Sequence, residues 1–281
     1  MIPINSGLRA AIALAAFLAA GPFARGQFRT EEISQRERWE EFLKTAEIIK
    51  AEPIGEGVTA PWRLFLKKDD LEKKGAWKNP EGMMGGFLEG WRYEIAAYRL
   101  DKLIGLDMIS PTVEREFRKK PGALSLWIDN ARSLLTIQEK GIQIPESASL
   151  QTENGKYVAR VWACLIANED LTQQNILYTE DWRTLLIDNS RSFRSSGEFR
   201  SRLMYGVNGI KTLSDGRPVL FRRLPRRLIE KIKGLDFASL KQAVGPYLTD
   251  EEIEATVIRR KLILDEITLM IKQNGEGEVL Y

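Results

Sequence analysis

Histidine is absent from all 281 residues. That removes Ser-His-Asp and Cys-His hydrolases, His-dependent zinc sites and histidine as a general base. Any chemistry has to rest on carboxylates, lysine, a bound metal or positioning alone. Cysteine is nearly absent too. Cys164 stands alone, which excludes an internal disulfide, and its place in an apolar run predicts a buried thiol and not a nucleophile. Charge of one sign is not in excess: 42 Lys and Arg against 39 Asp and Glu give +3. Nothing in that balance asks for DNA or RNA. Internal repeats and low-complexity tracts are missing as well.

Long apolar runs are scarce outside the N-terminus. There Arg9 precedes an alanine-rich apolar stretch, and Ala24-Arg25-Gly26 puts small residues before Gln27. This reads as a secretory signal peptide over residues 1–26, with an uncleaved anchor as the alternative. The apolar core is short for a bilayer span. Cleavage would remove Arg9 and Arg25 and no acid, lowering the formal charge to +1. The protein is expected to be exported, to the periplasm or the extracellular space, with no stable transmembrane span.

The chain is organised around Tyr157–Phe193. An apolar helix-length run, 157–167, belongs inside a domain. The polar loop 168–175 follows, then two short apolar runs, 176–178 and 184–187, separated by a turn-sized insert. The pattern predicts a β-hairpin. In a register pairing Leu177 with Leu186, Asn175 faces Asp188, at a separation that suits two oxygen ligands on one small hard cation. Asp170 leads into the same edge. A catalytic Asp, an Asn and a metal-holding Asp in this order are what phosphoryl transfer uses, and that chemistry depends on positioning and charge neutralisation, without histidine. A polar loop capping a helix is the plainer alternative.

Upstream, Phe28 to Lys50 has a charged helical pattern. Gly55-Glu56-Gly57 makes a glycine turn, where Gly55 and Gly57 would let backbone amides approach phosphates, or simply close a hairpin. Trp62–Leu66 and Gly75–Asn79 read as strands around a charged turn, Lys67–Lys74. Lys78 stands alone in its apolar strand. Trp91–Leu106 reads as a helix with Tyr93, Ala96, Ala97, Leu100, Leu103 and Ile104 as its stripe. Glu94 at the edge of that stripe requires a partner, and Lys78 is the natural one. A further strand, Gly122–Ile128, leads toward the connection between lobes. Arg194–Arg223, rich in serine and arginine, reads as a solvated mobile loop. Thr249 and Glu252 form a capping box opening a long helix through Ile271, and 275–281 reads as loose.

Three segments, in order, resemble a known family. GAWKN around Lys78, YEIAAYRLDKLIGLDMISPTVERE from Tyr93, and LLIDNSRSF around Asp188 are similar to the corresponding segments of the secretory-pathway (Golgi) casein kinases. The pattern recurs more loosely in HipA-type kinases and type II phosphatidylinositol 4-kinases. The resemblance implies an α+β, two-lobed protein-kinase-like fold. Its small β-rich N-lobe (51–128) would carry one key helix, and its larger C-lobe (129–281) would be mainly helical, after a helical extension over 27–50.

It implies ATP with Mg²⁺ or Mn²⁺ as cofactors. The acceptor is expected to be a hydroxyl on a protein, with a lipid, sugar or other small molecule as the alternatives. Lys78 would hold the ATP phosphates, Glu94 would pair with it and Asp170 would be the catalytic aspartate. Asp188 would be the metal ligand, with Asn175 assisting. Asp170-Leu171-Thr172 departs from the family's Asp-Arg-His. A pseudokinase used as an extracytoplasmic scaffold is the alternative from another class. A two-metal hydrolase lacks the extra carboxylates it would need.

Overall fold

The computed structural model describes residues 28–55 and 60–281, so the leader and Gly57 lie outside the described residues. Two short helices, α1 (Thr30–Ile33) and α2 (Arg36–Thr45), come first. The chain then enters β1 (Glu47–Pro53), β2 (Trp62–Lys68) and β3 (Leu71–Lys78). A small hairpin, β4 (Glu81–Met84) and β5 (Phe87–Gly90), precedes α3 (Trp91–Ile104). Strands β6 (Thr112–Phe117) and β7 (Lys120–Leu126) complete a five-stranded sheet in the order β1-β2-β3-β7-β6.

Alternation in this sheet decides where the chemistry goes. Paired residues in an antiparallel ladder share a face, and neighbours along a strand take opposite faces. Trp77 pairs with Leu124 and Lys78 with Ala123. Trp77 and Leu124 pack with Phe42 and Leu43 of α2. Ala123 packs with Trp91 and Ile95 of α3. Lys78 is therefore on the α3 face, toward Glu94.

The second lobe begins with β8 (Arg132–Ser133), α4 (Leu134–Glu139) and the long α5 (Glu146–Ile166). The hairpin β9 (Ile176–Tyr178) and β10 (Thr184–Leu186) joins β8 in a three-stranded sheet. Helices α6 (Arg226–Lys233), α7 (Phe237–Val244), α8 (Asp250–Asn274) and α9 (Glu276–Val279) close the lobe. Its core surrounds the last three turns of α5, where Val161 through Ile166 are all buried. Among the described residues no helix is long and apolar enough to cross a membrane.

Several elements differ from the sequence reading. The first long helix stops at Thr45, and 47–53 become an edge strand paired with β2. The charged turn shrinks to Asp69-Asp70, because Lys67 and Glu72 face each other across the ladder as an ion pair at 2.8 Å. On α3, Leu103 is exposed while Trp91 and Ile95 are buried, since the helix is sandwiched between sheet and C-lobe.

Arg194–Arg223 is solvated only in part: Ser196, Ser201, Arg202, Arg222 and Arg223 are exposed, but the segment is anchored on the core. Arg194, Leu203, Met204, Tyr205 and Phe221 are buried; four apolar side chains are enough to hold irregular backbone on the core. The C-terminal residues are docked: Leu224 N–H donates to Val279 O at 2.8 Å, and Tyr281 N–H to Leu224 O at 3.0 Å. Cys164 is free and buried, as expected, with its thiol pushed up to about 12 chiefly by burial.

Candidate active site

The hairpin forms in a different register from the expected one. Leu177 pairs with Leu185 and Tyr178 with Thr184. The five-residue connection makes the difference: Thr179 N–H closes on Arg183 O at 3.1 Å, and Trp182 takes φ +61°. Asn175 O consequently accepts from Ile187 N–H at 3.1 Å, so Asn175 faces Ile187 and not Asp188. Asp188 lies one residue beyond the ladder in a left-handed conformation, φ +60°. That turn still delivers its carboxylate to the cleft shared with Asn175.

Lys78 is the centre of the site. Its Nζ lies 3.1 Å from Glu94 Oε1 and 2.9 Å from Asp188 Oδ1. Glu94 Oε2 accepts from the Asn189 backbone N–H at 3.0 Å, fixing the segment after Asp188 to α3. Burial by itself would lower the Lys78 ammonium. The charges of Asp188 and Glu94 overcome that and hold it well above its ordinary value. Burial and the neighbouring Asp188 charge push Glu94 up against Lys78. Asp188 resists its own burial and is held below the usual carboxylate range, mainly by Lys78.

Across the cleft, Asn168 Oδ1 caps the Asp170 N–H at 2.7 Å, and Asn175 Nδ2 donates to Asp170 O at 2.8 Å. These bonds set the loop as a rigid turn, with Asp170 half-buried. Its carboxyl is raised, first by burial and then by Asp188 and Glu89, with Arg191 opposing. Asp170, Asn175, Asp188, Glu89 and Arg191 line one open cleft of about 650 Å³. A second cavity of about 500 Å³ lies along α3, bordered by Tyr98, Arg99 and Tyr247, and shares no lining residue with this cleft.

Three residues in the site carried no assignment from sequence. Glu89, 2 % exposed, accepts from Ser190 Oγ at 2.6 Å and from Arg191 Nε at 2.5 Å. Ser190 Oγ is also within 2.9 Å of Asp188 Oδ1. Arg191 Nη1 lies 3.7 Å from Asp170 Oδ1. Glu89 thus ties the end of β5 to both aspartates. Its sequence signal is an acid two residues before the apolar helix α3, unlike Glu94, which lies within that helix. Gly55 sits in the β1–β2 turn with φ +76° and is not among the residues that line the cleft, and Gly57 is outside the described residues.

Among the described residues no group of three or more Cys, Asp or Glu side chains forms a metal cage. The donors that are present are all oxygens, from Asp188 and Asn175 beside Glu89. A short hard-oxygen set fits a Mg²⁺ or Mn²⁺ ion that brings further oxygens on nucleotide phosphates.

A five-stranded lobe with one buried helix, a helical lobe, and a Lys–Glu pair bound to an aspartate that shares a cleft with a second one define an atypical kinase fold. The comparisons agree. The solved structure of hydra Fam20 with sugar matches with a TM-score of 0.63 at 15 % identity, covering 88 % of this chain and 92 % of that one. The Helicobacter pylori proinflammatory kinase CtkA matches with a TM-score of 0.55 at 10 % identity, covering 84 % and 98 %. No family model and no curated protein matches the sequence.

Proposed function

We propose that the protein is an exported ATP-dependent kinase that transfers a γ-phosphoryl group to a hydroxyl, most readily one on a protein. The observation that carries this reading is the Lys78 ammonium, held at 3.1 Å by Glu94 and at 2.9 Å by Asp188, which lines one cleft together with Asp170. In this reading ATP with Mg²⁺ or Mn²⁺ supplies the phosphoryl group and the charge neutralisation. Lys78 binds phosphate oxygens, and Glu94 keeps Lys78 oriented. Asp188 and Asn175 hold the metal. Asp170 orients the acceptor hydroxyl and takes its proton, a role suited to a carboxyl raised above its ordinary value.

A sugar acceptor is the second reading, because the hydra structure that this chain resembles was solved with sugar. The test is incubation of the protein with labelled ATP, Mg²⁺ or Mn²⁺, and separate panels of proteins, glycans and lipids. Label transferred by the wild type and lost in Asp170→Ala supports the enzyme, and the labelled panel names the acceptor class. No transfer, together with a melting temperature indifferent to ATP plus metal, would favour the scaffold alternative.

A further inference from the structure

Arg259 on α8 is 1 % exposed, and among the described residues no carboxylate pairs with it. A buried cation without an acid partner is costly unless its donors are satisfied. Here they are, almost entirely by backbone. Nε donates to Leu165 O at 2.9 Å. One terminal nitrogen donates to Arg194 O at 2.6 Å and to Phe199 O at 3.3 Å. The other donates to Thr256 Oγ at 3.0 Å. Burial pulls the guanidinium down to about 9, which leaves it charged at neutral pH.

The acceptors are not scattered. A helix leaves its last four carbonyls without partners inside the helix, and α5 ends at Ile166. Ala163 O accepts from the Ala167 and Asn168 N–H groups, and Cys164 O also takes Ala167. Ile166 O accepts from Phe193 N–H. Leu165 O is left, and Arg259 takes it. The cation also sits where the helix dipole is negative. Arg259 therefore completes the α5 C-terminus through Leu165 O, five residues before Asp170. Through Arg194 O it holds the segment that follows Asp188. One side chain clamps the two backbone segments that carry the two site aspartates.

We propose that Arg259 is a positioning residue for the site: it sets the distance between the Asp170 loop and the Asp188 segment by clamping Leu165 O and Arg194 O together. The consequence for phosphoryl transfer rests on the kinase reading above; the clamp itself does not.

The experiment is amide hydrogen exchange on the full chain in wild type, Arg259→Lys and the milder Thr256→Val, which removes a single acceptor. We expect exchange at Asn168 and Phe193 to rise at least tenfold in Arg259→Lys and severalfold in Thr256→Val. Exchange in β2 and β3 should stay within about threefold. Should Arg259→Lys fail to fold, Thr256→Val decides alone. A rise spread evenly over the chain, or no rise at Asn168 and Phe193, overturns the proposal. Exchange needs no nucleotide, so it separates failure of the clamp from failure of the kinase reading. Where the wild type transfers phosphoryl groups, the clamp variants should lower kcat at least tenfold while the dissociation constant for ATP plus metal changes less than threefold. Equal losses in both would also overturn it.

Discussion

Lys78 and Asp188 come from opposite lobes and meet at 2.9 Å. Lys78 ends the third strand of the N-terminal sheet, and Asp188 follows the second strand of the C-lobe hairpin. The contact joins the lobes through charge, with Glu94 completing the group from α3. Removing Lys78 leaves two carboxylates, Glu94 and Asp188, close together without their shared cation.

Lys78→Met should therefore destabilise the fold by about 3 kcal/mol, the usual scale for breaking a buried pair from one side. Adding Glu94→Leu should recover part of that loss, because the double variant buries one carboxylate fewer. Urea unfolding of both variants at pH 7 checks this. An equal loss in the two would mean the damage is packing and not charge.

Arg191 lies 3.7 Å from Asp170 and lowers its carboxyl, while burial, Asp188 and Glu89 raise it. In the kinase reading Asp170 must be ionised to accept a proton, so activity is lost as pH falls through its folded value. Arg191→Met removes the opposing charge. The acid limb of the rate profile should move to higher pH. A limb that stays put or moves down would remove Asp170 as the titrating base.

Asp101 is fully buried at the end of α3. Arg36 donates to it at 2.9 Å, and the Met108 and Ile109 N–H groups at 2.8 and 3.2 Å. Burial pushes its carboxyl up to about 7, against those partners. The folded state then keeps the Asp101 proton to a higher pH than the unfolded chain. Its stabilising contribution is full below about pH 4 and is lost as pH rises through about 7. The wild type should lose more stability than Asp101→Asn between pH 4.5 and 7.5. Denaturant midpoints at the two pH values measure that difference, and parallel curves would contradict it.

Gly155 lies on the face of α5 that meets β10. Helix propensity favours alanine there by about 1 kcal/mol, yet a Cβ would collide with the Thr184 side chain. Overpacking should win, and Gly155→Ala should cost about 1–3 kcal/mol. A raised melting temperature would show that the helix and the hairpin separate more easily than their packing indicates.

Much of the candidate site was legible in the sequence. Lys78 and Glu94 stood out because each is a lone charge in an apolar setting, and such charges find one another. Asp170, Asn175 and Asp188 were legible through their spacing around a hairpin. Glu89, Ser190 and Arg191 were not assigned, since nothing local says that the β5 turn lies against the segment after Asp188. Nothing local in the sequence sets Arg259 apart from the other cations of α8.

Strand and helix periodicity, the Thr249 capping box and the absence of histidine are properties of neighbouring residues or of composition, and the sequence by itself determined them. Hairpin register, the docking of 194–223 and of the C-terminus, and the pairing of Arg259 with backbone carbonyls depend on contacts between distant segments. Only the tertiary structure decided these, because burial and hydrogen-bond closure are set by what packs alongside a residue and not by what precedes it in the chain.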